Sequence, residues 1–206
     1  MKQKFYIDTH KGATFLAVLV MMGLYQQWDN VTAWVYLALH GTYGFLWVAK
    51  SRIFPDKQWD QKCSIGYGLY IWAGLSLYWI APWLITSQSI NVPSWFLAVA
   101  IFIYTLGVFL HFTSDMQKYT ELKYNPGHLI TDGLMAYSRN INYLGEFLIY
   151  GSFALLAMSW IPFAVLAAYL LIVWGPNIRR KEKSLSRYPE FEEYKKKVKL
   201  FIPYIF

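Results

Sequence analysis

The sequence has little charge and almost no cysteine. Of its 206 residues only 15% are charged, whereas 56% are apolar and 20% are aromatic. A typical soluble domain carries about 25% charged residues, and a soluble surface of this size could not accommodate so much apolar material. The single cysteine, Cys63, allows neither an internal disulfide nor a zinc site made of cysteine ligands. These features exclude a soluble enzyme, a disordered chain and a secreted disulfide scaffold.

Charge is absent from long stretches of the chain. Asp, Glu, Lys and Arg do not occur in residues 12–28, 30–49, 63–114 and 147–178, and a membrane-spanning helix needs about 20 apolar residues. Turn-forming residues divide the two longest stretches at 87–93 and 159–162. The sequence therefore predicts an all-α, polytopic integral membrane helical bundle that forms a single membrane domain over residues 1–206. Its six predicted spans are 12–28, 31–49, 64–86, 93–113, 144–158 and 161–177.

The distribution of basic residues predicts the orientation in the membrane. All 19 Lys and Arg residues fall in segments 1–11, 50–63, 114–143 and 178–206, which six spans place on one side. The positive-inside rule then predicts that both termini are cytoplasmic. The net charge of +7 is a topology signal with an affinity for membrane lipids, so nucleic acid is not a predicted partner. The oligomeric state is unknown from the sequence.

Familiar nucleotide and metal motifs are missing from the sequence. It contains no GxGxxG, no GxxxxGK[ST], no HExxH and no HxxxH pattern, so a nucleotide would bind without a Rossmann or P-loop fold, and no metal site is predicted. Polar residues instead crowd into segment 111–146, between two hydrophobic blocks. Ionisable groups near membrane depth are costly without partners, so this segment is the candidate functional region.

Two residues at the end of this segment are the pair that points most specifically to a bound ligand. Asn142 and Glu146 are four positions apart, so on a helix they share one face. An amide and a carboxylate on one face suit a hydrogen-bonded ligand such as a carboxamide. In the alternative interpretation, Glu146 lies among lipid head groups and forms a salt bridge with Arg139 or Lys118.

The last hundred residues resemble a known family of membrane enzymes. Residues 139–146, R-N-I-N-Y-L-G-E, resemble the R-H-P-N-Y-L-G-E motif of membrane steroid and sterol reductases. Ser114-Asp115, Gln117-Lys118 and Asp132-Gly133-Leu134 resemble elements that precede this motif, and residues 187–206 resemble the tail of steroid 5α-reductases. Residues 111–206 are therefore identified as a steroid-reductase-like cofactor-binding region.

The resemblance implies an activity and a cofactor. It implies an NADPH-dependent reductase of an activated C=C bond in a hydrophobic lipid or steroid-like substrate, with NADPH in a cavity that faces the cytoplasm. Asn142 and Glu146 would hold the nicotinamide amide, Asp115 would contact the cofactor, and basic residues including Lys118 and Arg179 would hold its phosphates. The full set of implied cofactor-binding residues is Asp115, Lys118, Lys123, Arg139, Asn142, Tyr143, Glu146, Arg179 and Tyr188.

Reduction of an enone also needs an acid. Hydride addition builds negative charge on the carbonyl oxygen, which a nearby donor stabilises. Residues 39–44 resemble the tyrosine-bearing segment of steroid 5α-reductases, so Tyr43 is the candidate acid and His40 its candidate partner. In contrast, the glutamate that this family carries on an early helix has no counterpart in span 12–28. The predicted count of six spans also differs from the seven of the steroid enzymes.

Two other functions remain open at this point. S-adenosylmethionine-dependent membrane methyltransferases of lipids or prenylcysteine share R-H-P-x-Y-x-G and an E-x-x-L segment, which residues 182–185 resemble. Asn142 favours the reductases, because this position is variable in the methyltransferases. A catalytically degenerate membrane protein that binds lipid is the third interpretation. In each case we expect a multi-pass protein of a bacterial inner membrane or the endoplasmic reticulum.

Overall fold

The regular structure of this chain is entirely helical. The computed structural model describes residues 1–205 and contains no β-sheet within them. A π-helical turn covers Leu170–Trp174, and short 3₁₀ helices cover Lys57–Asp60, Leu77–Trp79 and Gly133–Ala136. The all-α class is therefore confirmed. The helices are α1 (Gln3–Leu24), α2 (Val31–Ile53), α3 (Ile65–Ser87), α4 (Ser94–Tyr124), α5 (Ile141–Leu156), α6 (Trp160–Leu185) and α7 (Phe191–Lys197).

Helices lie over all six predicted spans, but fewer meet the requirements for crossing a membrane. Helices α1, α3, α4 and α6 are long and apolar enough to do so. Helix α2 has 23 residues, but polar residues around His40 lower its hydropathy. Helix α5 is apolar but has only 16 residues. The structure thus confirms a helical membrane protein and supports four of the six spans by length and composition.

The first helix begins earlier than predicted. Span 12–28 was expected to follow a charged segment, whereas α1 already begins at Gln3. The charged residues fit inside the helix because they have partners: Lys4 Nζ donates to the Ser51 carbonyl oxygen at 3.0 Å, and Asp8 accepts from Ser51 Oγ. At the other end, Gln26 has a φ of 54°. This left-handed turn ends the helix before residue 28.

Two later helices are longer than the predicted spans. Helix α4 continues eleven residues beyond the predicted end at 113, and α6 continues eight residues beyond 177. These extensions are polar, and they place Asp115, Lys118, Lys181 and Glu182 on rigid helices. The first part of the candidate region, residues 111–124, is therefore entirely helical, although the predicted span ended at 113.

The contacts divide the chain into two compact units. The first unit consists of Met1–Tyr104 and Tyr150–Val165, and the second of Thr105–Ile149 and the chain from Leu166 onward. The first unit has an interior rich in aromatic residues, most of which come from α1, α2 and α5. The second contains a small apolar cluster formed by Leu129, Phe191, Tyr194 and Val198. Each unit holds one group of the predicted functional residues.

Candidate functional site

In the second unit, two glycines set the distance between α4 and α5. A Cβ atom at Gly145 would lie 2.5 Å from the backbone nitrogen of His111, and one at Gly107 would lie 2.7 Å from the carbonyl oxygen of Gly145. Only glycine permits this backbone approach, which is typical of membrane helix pairs. As a result, His111 Nδ1 lies 3.1 Å from the carbonyl oxygen of Asn142. This contact fixes the start of α5 against α4.

Asn142 and Glu146 both lie on α5, four residues apart as predicted. The Oδ1 atom of Asn142 is buried and accepts no hydrogen bond, and the same is true of Oδ1 of Asn140. Asn140 Nδ2, by contrast, donates to the carbonyl oxygen of Leu200 at 3.0 Å. A buried acceptor without a donor costs about 1–3 kcal/mol. The site therefore presents two amide oxygens that can accept hydrogen bonds from a ligand.

Arg139 is the centre of a buried polar network. Its Nε lies 3.1 Å from both carboxylate oxygens of Glu182, and its Nη2 donates to Glu182 Oε2 at 2.8 Å. Its Nη1 donates to the carbonyl oxygens of Lys195 and Val198. Arg139 is thus paired with Glu182 rather than with Glu146, which corrects that part of the alternative interpretation. The side chain joins α6 to the C-terminal segment.

Further charges lie around this network. Lys181 Nζ donates to the carbonyl oxygen of Arg139 at 2.6 Å, and Lys181 interacts electrostatically with Lys118 and Asp115. Asp115 is buried on α4, where its Oδ2 lies 3.8 Å from His111 Nε2. Lys181 belongs to the basic run 179–181 that was predicted to hold the phosphates, whereas Glu182 was absent from the predicted cofactor site.

The C-terminal segment is fastened to the residues that precede α5. Tyr194 Oη donates to the Met135 carbonyl oxygen at 2.6 Å, and Ser138 Oγ donates to the Phe201 carbonyl oxygen at 2.8 Å. Burial raises the pKa of Tyr194 to about 12, so this hydroxyl remains a donor throughout the physiological pH range. The conformation of the site residues thus depends on the tail.

The remaining predicted cofactor residues have different surroundings. The Tyr143 ring lies 5.7 Å from the Trp174 ring. Lys123 is exposed, with its ammonium group over the rings of its neighbours Tyr119 and Tyr124, and Arg179 is exposed on α6. Tyr188 packs against the apolar cluster of the second unit, and its hydroxyl oxygen accepts from Arg187. Within residues 1–205, none of Lys123, Arg179 and Tyr188 forms a hydrogen bond with Asn142.

In the first unit, the predicted acid and its partner are both buried. His40 Nδ1 lies 2.8 Å from Tyr36 Oη, and the His40 ring stacks on Phe153 at 4.2 Å. His40 is thus paired with Tyr36 rather than with Tyr43. Tyr43 is completely buried, and its ring centroid lies 4.4 Å from the Nζ atom of Lys11.

Lys11 is a buried cation that the sequence interpretation missed. Its ammonium group donates to Tyr150 Oη and lies over the rings of Tyr43, Trp47 and Tyr150, at 4.4, 4.8 and 4.9 Å from their centroids. Cation–π contacts of this kind are strongest when desolvated. In the sequence, Lys11 stands at the edge of an uncharged stretch, which indicated a charge that flanks a span. In the structure, it lies within α1 and is buried in the packed interior. Lys11 therefore places a positive charge beside Tyr43, the predicted acid.

The sequence matches one described family. The chain belongs to DUF1295, described as a family of proteins of unknown function, whose sequence model matches residues 1–198. The match covers both units almost entirely, so the residues of both candidate regions lie within the part of the chain that the family model matches. No curated protein matches the sequence.

Proposed function

We propose that this protein is an NADPH-dependent reductase of an activated double bond in a hydrophobic lipid or steroid-like substrate. The observation that supports it best is the buried, unpaired Oδ1 atom of Asn142, one helical turn before the carboxylate of Glu146. A nicotinamide carboxamide has two N–H donors and one carbonyl acceptor. The two side chains offer the complementary acceptors, and the Asn142 amide adds a donor.

The charges of the second unit suit the phosphate end of this cofactor. Lys181 uses one of its three N–H donors for the carbonyl oxygen of Arg139, which leaves donors for a phosphate. Lys118 is close enough to interact with Lys181 electrostatically, and two ammonium groups bind a phosphate through charge-assisted hydrogen bonds. When bound, NADPH supplies the hydride. The Arg139–Glu182 pair holds α6, and with it Lys181, in position.

The resemblance to steroid 5α-reductases and the first unit together suggest the proton donor. Negative charge that develops on a substrate carbonyl oxygen needs a hydroxyl donor, and Tyr43 remains the proposed residue. Lys11, 4.4 Å from the Tyr43 ring, supplies positive charge that stabilises such an anion. His40 is paired with Tyr36, so its proposed role is to hold the packing of α2 around Tyr43.

Cofactor-dependent thermal unfolding of detergent-solubilised protein tests this proposal. A ligand at 100 times its dissociation constant stabilises the folded state by about 2.7 kcal/mol. We expect NADPH to raise the unfolding temperature, NADH to raise it less, and S-adenosylmethionine to leave it unchanged. Asn142→Ala and Glu146→Gln should lose the NADPH effect and unfold near the wild-type temperature without ligand. Glu190→Gln, at an exposed position, is the matched control and should respond as wild type.

Other results would reject the proposal in distinct ways. Stabilisation by S-adenosylmethionine and not by NADPH would support the methyltransferase interpretation. No response to either compound would support a lipid-binding protein without catalysis. A full NADPH response in both variants would show that these residues do not hold the cofactor.

A further inference from the structure

The first unit contains a pocket that the proposed reduction does not use. Counted together with the space open to solvent it measures about 310 Å³, and it lies between the start of α1, the end of α2 and the segment that follows α2. Its lining combines both signs of charge with two indole rings. The charged and aromatic lining residues are Lys4, Asp8, Trp47, Lys50, Asp56 and Trp59.

Asp8 carries the most specific feature of this pocket. Its Oδ2 atom accepts a hydrogen bond from Ser51 Oγ at 2.5 Å, whereas its Oδ1 atom is buried and accepts none. A carboxylate oxygen can only accept, and a buried charged acceptor without a donor is costly. The position therefore requires an N–H or O–H donor, and the negative charge favours a cationic one.

Positive charge lies beside this acceptor. Lys4 and Asp8 are four residues apart on α1, so their side chains are neighbours on one face. Lys4 Nζ uses one donor for the Ser51 carbonyl oxygen at 3.0 Å and has two more. Lys50 also lines the pocket, and its Nζ lies 4.7 Å from the centroid of the Trp47 ring. The pocket thus offers an anionic acceptor and cationic donors within one small volume.

The position of the pocket along the chain suggests the source of the ligand. The start of α1 and the end of α2 carry a cluster of basic residues, which the positive-inside rule assigns to the cytoplasmic boundary. Phospholipid head groups lie at this depth, and tryptophan is enriched there. A ligand with an ammonium group close to a phosphate would therefore be abundant beside this pocket.

We propose that the pocket binds the phosphoethanolamine head group of a membrane phospholipid. The ammonium group donates to Asp8 Oδ1, and the phosphate accepts from Lys4 and Lys50. Phosphocholine has the same charges but no N–H donor, so it cannot satisfy Asp8. Recognition should depend on the presence of at least one N–H donor and not on charge alone.

A series of head groups tests this proposal on the wild-type protein. Native mass spectrometry would measure binding of phosphatidylethanolamine, its N-methyl and N,N-dimethyl derivatives, and phosphatidylcholine, all with the same acyl chains. The first three keep at least one N–H donor, so we expect them to bind. Phosphatidylcholine should bind about tenfold or more weakly, because it cannot form the charge-assisted bond. Equal binding of all four lipids, or a steady decline with each methyl group, would overturn the proposal.

A variant locates the site. Asp8→Asn should reduce binding of phosphatidylethanolamine to the level of phosphatidylcholine, whereas Asp29→Asn makes the same change at an exposed position and should have no effect. Unchanged preference in Asp8→Asn would overturn the proposal. If Asp8→Asn does not fold, the head-group series on the wild type still decides. Competition by soluble phosphoethanolamine at the same concentrations as the lipid would overturn the assignment to a membrane lipid.

Discussion

At the scale of single residues, Arg139 determines the arrangement of the second unit. Its guanidinium group binds Glu182 through both carboxylate oxygens and donates to two carbonyl groups of the C-terminal segment. Buried ion pairs contribute little net stability when intact, because desolvation offsets the attraction, but loss of one partner leaves a buried charge uncompensated. Arg139 and Glu182 are 6% and 19% exposed, so this asymmetry applies here.

We therefore expect Glu182→Gln to destabilise the second unit by about 3 kcal/mol, within the range for breaking a buried pair. The glutamine keeps the shape but removes the charge that compensates Arg139. Chemical denaturation of the detergent-solubilised protein would measure the change.

Glu193→Gln provides the control for this prediction. Glu193 pairs with Lys197 at 2.6 Å, but both side chains are more than two-thirds exposed. Exposed pairs contribute little because water and salt screen them, so no measurable loss is expected. Equal effects of the two substitutions would mean that the Arg139–Glu182 pair does not hold the unit together.

At the scale of secondary-structure elements, the close contact between α4 and α5 orients Asn142 and Glu146. The backbones touch at Gly107 and Gly145 because neither residue has a side chain. The glycine of the R-N-I-N-Y-L-G-E segment thus has a packing role, while the asparagine and glutamate on either side of it present the polar groups.

Gly145→Ala should destabilise the protein by about 1–3 kcal/mol, the usual cost of overpacking, and should abolish stabilisation by NADPH. Its Cβ atom would collide with the backbone of His111, so α5 would have to move. Thermal unfolding with and without NADPH would measure both effects.

Gly151→Ala is the matched control on the same helix. A Cβ atom at Gly151 would meet no atom within 4 Å, and alanine favours helix over glycine by up to about 1 kcal/mol. This variant should therefore be as stable as wild type or more so. Comparable losses in the two variants would mean that helix packing at Gly145 is not special.

At the scale of the whole molecule, the positive-inside rule favours more crossings than are provided by the four helices that are both long and apolar enough to span a membrane. If α2 did not cross, segment 50–63 with its four Lys and Arg residues would lie on the side opposite the N-terminus. Helix α2, with 23 residues, is about 35 Å long, enough for a bilayer core. Helix α5 is shorter, about 24 Å, and would need local thinning of the bilayer.

We expect both helices to cross the membrane. In a Cys63→Ser background, an impermeant thiol reagent applied from outside intact cells should label Asp29→Cys and Met158→Cys. It should label Lys57→Cys and Asn125→Cys only after permeabilisation. Outside labelling at residues 57 and 125 without permeabilisation would contradict the six-span topology.

The class of this protein follows from the sequence alone. Long uncharged stretches must be buried in lipid as helices, because the backbone has no other way to satisfy its hydrogen bonds there. That Asn142 and Glu146 share one helix face was also predictable, because the relation between residues on one helix depends only on their positions along the chain. Composition and local spacing therefore determined the all-α membrane fold and the main feature of the candidate site.

The partners of the charged residues were decided only by tertiary structure. Glu182 lies 43 positions from Arg139, and Tyr150 lies 139 positions from Lys11, and no local pattern relates residues so far apart. In the sequence, Lys11 is a charge that flanks a predicted span. In the structure, aromatic rings from α2 and α5 surround it. Side-chain pairing over such distances depends on how helices pack, and packing is set by the shapes of whole surfaces rather than by the order of residues.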